Sequence, residues 1–174
     1  MGFIEILINN LIGYDGFILF TTAIVNVFFY MRTRASANRL HDGIFQSVNR
    51  GLIKKNMSLY LDELTPDEVD KLMKERDKTN RYYSIFTSII SIFPYLGILG
   101  TVFSLIGVAG DSSFENMQQN FLIALTSTFW GVVFAIAFKV LCDAPLSPRI
   151  ELLNAEVDRR IHRYENDDSD VMEE

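Results

Sequence analysis

Two uninterrupted stretches without a charged residue, Tyr82 to Gly110 (29 residues) and Asn116 to Phe138 (23 residues), constrain this chain more than any other feature. A helix needs about 20 apolar residues to cross a bilayer, and each stretch is longer than that. A third, Gly16 to Met31, has 16 residues, and Asp15 alone separates it from the apolar sequence that begins at Ile6. Three spans are therefore predicted. With 49% of residues hydrophobic and only 22% charged, the chain is too apolar for a soluble enzyme of ordinary composition. A net charge of -6 with no exposed basic stripe excludes a nucleic-acid binder, and a single cysteine, Cys142, excludes an internal disulfide framework.

The basic residues set the orientation. Of 16 Lys and Arg, 11 lie between Arg32 and Arg81 and five between Lys139 and Arg163. The positive-inside rule then places 32–81 and the C-terminus in the cytoplasm, with the N-terminus and the 111–119 connection outside. The outside segments carry Glu5, Asp15, Asp111 and Glu115 and no base. Residues 1–15 lack the basic start and cleavage site of a signal peptide, and position 6 is Ile where a myristoylation signal requires Ser or Thr.

The expected organisation is an interfacial N-terminal helix (1–15), a first transmembrane helix (16–31), a cytoplasmic helical segment (32–81) and a second transmembrane helix (82–110). A periplasmic loop (111–119), a third transmembrane helix (120–142), a cytoplasmic amphipathic helix (143–165) and an acidic disordered tail (166–174) complete it. Thr65-Pro66-Asp67-Glu68 is a capping box with Pro at the first helical position. With no Gly or Pro before Pro94, one long helix is predicted from Pro66 through the second span. Ser147-Pro148 reads as another helix start, ahead of Ile150, Leu153, Val157, Ile161 and Tyr164 at helical intervals.

The second span carries Gly97, Gly100, Ser104 and Gly107 on one helix face, and the third carries Ala124, Ser127, Gly131 and Ala135. Small faces of this kind let membrane helices approach backbone to backbone. Beside each lies a threonine. Thr101 is nine residues from Gly110 and Thr128 twelve from Asn116, roughly 14 and 18 Å at about 1.5 Å per residue, so the two hydroxyls fall at similar depth. Neither uncharged stretch contains an ionisable carrier of protons. A membrane threonine ordinarily bonds its own i-4 carbonyl; two at one depth on adjacent helices point to more.

These residues carry a resemblance. Phe93-Pro94-Tyr95-Leu96-Gly97-Ile98-Leu99-Gly100-Thr101-Val102 resembles the Pro-x-x-Gly-x-x-Gly-Thr-Val signature that opens the second span of the TolQ/ExbB/MotA proton-channel family. Ala124-Leu125-Thr126-Ser127-Thr128-Phe129-Trp130-Gly131 is similar to the Ala-Leu-x-x-Thr-x-x-Gly segment of its third span. The resemblance implies an all-α membrane protein of TolQ/ExbB-like subtype in the bacterial inner membrane. Five copies would form a ring around a dimer of a single-span ExbD/TolR/MotB-like partner, which supplies the protonatable Asp. It implies that Thr101 and Thr128 line the pore, that Pro94, Gly97, Gly100 and Gly131 shape the helices, and that the chain is an ion-driven motor subunit and not an enzyme. Two positions depart from the pattern: Ile123 stands where TolQ and ExbB carry an acid, and Ala137 where they carry Pro.

No cofactor or metal is expected, since His41 and His162 stand without ligand spacing, and no nucleophile, base and orienter come together. Trp130 is read as a packing residue between subunits. The competing reading is a non-conducting oligomeric scaffold that uses the same small-residue faces only to assemble. The level threonine pair favours conduction, and the missing acid at Ile123 favours the scaffold.

Overall fold

The computed structural model describes residues 14–54, 66–108 and 114–172, and all of these are helical. Helix α1 runs Tyr14–Lys54, α2 Pro66–Val108, α3 Phe114–Phe138 and α4 Ala144–Met172; a π-helical turn, Lys139–Asp143, joins α3 to α4 without a break. The segment 1–13, Thr65 of the capping box and residues 109–113 lie outside the described residues. Three helices are long and apolar enough to cross a membrane, the candidate segments being Gly16–Ile44, Pro66–Ile106 and Ala124–Tyr164.

The chain divides into an apolar unit, Met1–Phe29 with Ile85–Ala144, and a polar unit, Tyr30–Ser84 with Pro145–Glu174. In the apolar unit Leu19, Ala23 and Phe93 are buried together, with Ile89, Leu96, Phe134 and Phe138 packed against them. Phe93 stacks on Phe134 and Phe138 at 5.8 and 5.4 Å between ring centroids, a geometry that adds to the burial itself. Trp130, expected between subunits, is half-buried against this same cluster, with its ring 6.3 Å from Phe134. Large apolar side chains such as Phe17, Ile24, Phe103 and Ile106 remain more than 60% exposed. In water such a surface would be an aggregation hazard; in hydrocarbon it carries no penalty.

The polar unit is built around Ala37, Leu40, Ile44, Leu72, Leu153 and Val157. Its interior also holds hydroxyls. Ser36 and Thr79, both buried, share a 2.8 Å hydrogen bond, and Thr79 donates to the Glu75 carbonyl at 2.8 Å. Asn154 donates to Asn80 at 3.1 Å, and Arg76 reaches Asp158 at 2.6 Å.

Buried positions recur at intervals of three, four and seven. On α1 the stripe includes Leu19, Ala23, Asn26, Thr33, Ala37, Leu40 and Ile44; on α2 it includes Val69, Leu72, Thr79, Phe86, Ile90, Phe93, Gly97 and Gly100. A repeat of 3.5 residues keeps one stripe facing a partner helix along a long element. The third seam follows Gly131, Ala135 and Phe138, and then Asp143, Leu146, Ile150, Leu153 and Val157. Its single step of five falls in the π turn, where one extra residue carries the stripe across.

Three sequence expectations are corrected. No helix starts at Ser147-Pro148; Pro148 lies inside α4, which continues from α3 through the π turn. The turn reconciles proline with a continuous helix. The Ala144 N–H goes to the Lys139 carbonyl, five residues back, and Pro145, lacking an N–H, leaves no donor for Val140, so the ladder is already reset before Pro148. The expected 111–119 loop is helical from Phe114 onward. The expected disordered tail is helical to Met172, because residues 166–172 contain no Gly or Pro and extending a nucleated helix costs little.

Candidate functional site

The two uncharged helices α2 and α3 meet where neither has a side chain to hold them apart. A Cβ on Gly97 would lie 2.9 Å from the Thr128 Cα and 3.0 Å from the Ser127 carbonyl oxygen. A Cβ on Gly131 would lie 2.7 Å from the Phe93 carbonyl oxygen and 3.0 Å from the Gly97 Cα. Contacts this short involve backbone only, so both positions exclude any larger residue unless the helices separate. Gly100, Ala124 and Ser127 are buried on the same faces, Ser104 and Ala135 are half-buried, and Pro94 is half-buried within α2. The surroundings of Gly107 and Ile123 lie outside the described residues, and Ala137 is half-buried.

Next to this contact the two threonine hydroxyls touch. Thr101 Oγ1 and Thr128 Oγ1 are hydrogen-bonded to each other. Thr101 Oγ1 also lies 3.0 Å from the Gly97 carbonyl oxygen and 3.0 Å from that of Ala124. Thr128 Oγ1 lies 3.2 Å from the Gly97 carbonyl oxygen. Each hydroxyl therefore reaches the carbonyl four residues before the other threonine, which forms a reciprocal clasp between the helices. The ordinary i-4 bond within α2 is also available to Thr101, so back-bonding and pairing coexist.

Two hydroxyls supply two protons. The acceptors in reach are two carbonyls and the hydroxyls themselves, so each proton has at least two places to go. The site can hand a hydrogen bond to an incoming acceptor by rotating a hydroxyl, at the cost of releasing a carbonyl. It has no charge of its own: residues 85–108 and 116–138 contain no ionisable group apart from Tyr95, whose ring is 69% exposed.

Other polar groups of the apolar unit escape a reading based on charge alone. Asn26 of α1 is 0% exposed, and neither its amide nitrogen nor its oxygen has a hydrogen-bond partner among the described residues. Asp143, the last residue of the π turn, is buried and pairs with Lys139 at 2.5 Å. The signal for Asn26 was present in its place on the three-four stripe. Asp143 becomes a seam residue only through the π turn. Among the described residues no three His, Cys, Asp or Glu side chains gather as a metal site would require.

A sequence model of the MotA/TolQ/ExbB proton channel family matches residues 44–166, well over half of the chain and including both threonines and both seam glycines. No curated protein and no solved structure matches. With three helices able to span a membrane and the family match running through the clasped hairpin, the chain belongs to the MotA/TolQ/ExbB proton channel family.

Proposed function

We propose that the protein is the ring-forming, TolQ/ExbB-like stator subunit of a proton-driven motor in the bacterial inner membrane. Its N-terminus lies outside, the polar unit lies in the cytoplasm, and five copies surround a dimer of a single-span ExbD/TolR-like partner. The observation that carries this reading is the contact of Thr101 and Thr128 in a hairpin devoid of charge. A carboxylate brought into a dry pore by a partner helix is costly when ionised, and two rotatable hydroxyls can stabilise it between the arrival and departure of protons. The partner carries the proton; this chain supplies the environment that lets the carboxylate ionise.

The non-conducting scaffold has one observation in its favour. Both hydroxyls are already engaged with the carbonyls of their own hairpin, as a purely structural clasp would be. Thr101→Val and Thr128→Val separate the readings. Each removes one donor to a charged group, about 1.5 to 3 kcal/mol, or about ten- to a hundredfold if fully expressed in transport. Proton flux is measured in liposomes with the chain and its partner. Loss of flux in rings that still assemble supports the motor; full flux in both variants refutes it. Liposomes with this chain alone carry no flux above the lipid background.

A further inference from the structure

The exposed side chains of the apolar unit differ in chemistry from one helix to the next. On α1, eight positions between Gly16 and Phe29 are exposed, and among them only Thr21 carries a hydroxyl, which donates to the Phe17 carbonyl at 2.8 Å. Among the described residues of α3 from Phe121 to Phe138, five are exposed and none carries one. On α2 the exposed positions between Ile85 and Tyr95 are Ser88, Ser91, Ile92 and Tyr95, so three of four carry a hydroxyl. Further along the same helix, from Leu96 to Ile106, six positions are exposed and all are apolar. Ser88, Ser91 and Tyr95 are spaced three and four apart and so share one face, opposite the buried Phe86, Ile90 and Phe93.

The serines alone do not decide what this face meets. Ser91 donates to the Thr87 carbonyl at 3.1 Å, and Ser88 also has a partner; back-bonding of this kind makes serine tolerable against lipid. Tyr95 is different. Its phenol stands too far from its own backbone to bond it, and the residue is 69% exposed. It lies fourteen residues past Arg81 and fifteen before Gly110, roughly 21 and 22 Å, far from the interfaces that tyrosines favour. A phenol there needs a polar neighbour. A second copy presenting these stretches of α1 or α3 does not supply one, because their exposed faces offer no hydroxyl except the engaged Thr21.

We propose that Ser88, Ser91 and Tyr95 line a water-filled vestibule that enters the membrane along the outward face of α2 and ends at Tyr95. Water is the occupant that fits, since it can accept from the phenol and donate to serine oxygens whose own protons are already engaged. Resting on the motor reading, the vestibule opens to the cytoplasm, because the basic residues of α2 all precede Tyr82. It stops six residues short of Thr101, roughly 9 Å along the helix. Water thus reaches close to the threonine level from one side. The dry length that the partner's carboxylate serves is confined to the rest of the span, where the exposed face of α2 is apolar.

Cysteine accessibility tests this directly. In a Cys142→Ser background, Ser88→Cys, Ser91→Cys and Leu99→Cys of α2 are compared with Ile24→Cys of α1 and Ile136→Cys of α3. The probe is a charged, membrane-impermeant methanethiosulfonate, which reacts with the thiolate and so reports contact with water. It is added from the cytoplasmic side to assembled rings in inverted vesicles, with and without the partner. Ser88→Cys and Ser91→Cys are expected to react at least tenfold faster than the other three; should one of them fail to assemble, the other carries the comparison. Equally slow reaction at all five positions overturns the vestibule, and fast reaction at Leu99→Cys overturns its end at Tyr95. Fast reaction in the ring alone but protection once the partner is bound means that the partner's helix occupies the face, and overturns water as its occupant. If wild-type complexes carry no proton flux while both serine positions react fast, the motor reading fails and the vestibule stands. Flux with five slow cysteines keeps the motor and removes the vestibule.

Discussion

Gly131→Ala adds one methyl group at the tightest contact between α2 and α3. The new Cβ would sit 3.0 Å from the Gly97 Cα and 2.7 Å from the Phe93 carbonyl oxygen. Carbon atoms rest at about 3.5 Å or more, so the helices must part by about 0.5 Å locally. Overpacking of this kind typically costs about 1–3 kcal/mol, against a gain of about 1 kcal/mol from replacing glycine by alanine in a helix. The net expectation is a loss of up to about 2 kcal/mol. Gly43→Ala is the control, for its Cβ would meet only the Leu72 Cδ2 at 3.7 Å, an ordinary contact. That substitution collects the helical gain without the clash. Thermal unfolding midpoints of the purified proteins in one detergent decide the matter: Gly131→Ala should fall below wild type and Gly43→Ala should equal or exceed it. If both rise together, the backbone contact at Gly131 is not as close as the structure has it.

Two further outcomes concern parts of the chain away from the threonines. Thr79→Val removes the partner of buried Ser36, and should cost about 1–3 kcal/mol, whereas the double variant Ser36→Ala/Thr79→Val should lie closer to wild type, because no buried hydroxyl is then stranded; chemical denaturation of the two proteins compares them. Deleting Leu141, a 72% exposed residue of the π turn, should convert the turn to α-helix and leave the stripe from Phe138 onward in step, while deleting Leu152 from regular α4 should throw Leu153 and Val157 off the seam; helical content and unfolding midpoint should be nearly kept in the first and strongly lowered in the second.

What was legible in the sequence follows from what a bilayer demands. Charge-free stretches and small residues at intervals of three and four have few explanations, and counting depth from the hairpin ends was enough to bring Thr101 and Thr128 level. The π turn was not legible, because Pro145 and Pro148 fit the first turn of a new helix as well as they fit a helix already reset by one residue. The position of Asp143 was hidden for the same reason: without the extra residue it falls off the stripe. Asn26 was hidden differently. One amide in an apolar stretch looks unremarkable until its place on the repeat shows that it faces inward, and nothing in composition says that neither of its polar atoms finds a partner among the described residues.

Gly97 joins the packing of the hairpin to its chemistry. Its missing side chain lets the Thr128 backbone approach, and its carbonyl oxygen is within 3.2 Å of both threonine hydroxyls. The carbonyl is thus an acceptor that both hydroxyls share, and on the proposed motor reading a hydroxyl bonded to it leaves it to serve a carboxylate. A Cβ at Gly97 would press on the Thr128 Cα at 2.9 Å and on two carbonyl oxygens, pushing Thr128 away from that acceptor and from Thr101. At Gly131 the same methyl presses on Phe93 and Gly97, one turn further from the hydroxyls. The two substitutions cost similar packing energy, yet only one acts directly on the hydroxyl-to-carbonyl hydrogen bonds that, on the proposed motor reading, give way to an incoming acid. Gly97→Ala should therefore lose more proton flux than Gly131→Ala at a matched drop in unfolding midpoint, by about tenfold if one charge-assisted bond is lost. Equal flux at equal stability would mean that the clasp acts only through packing, and that the hydroxyls take no part in transport.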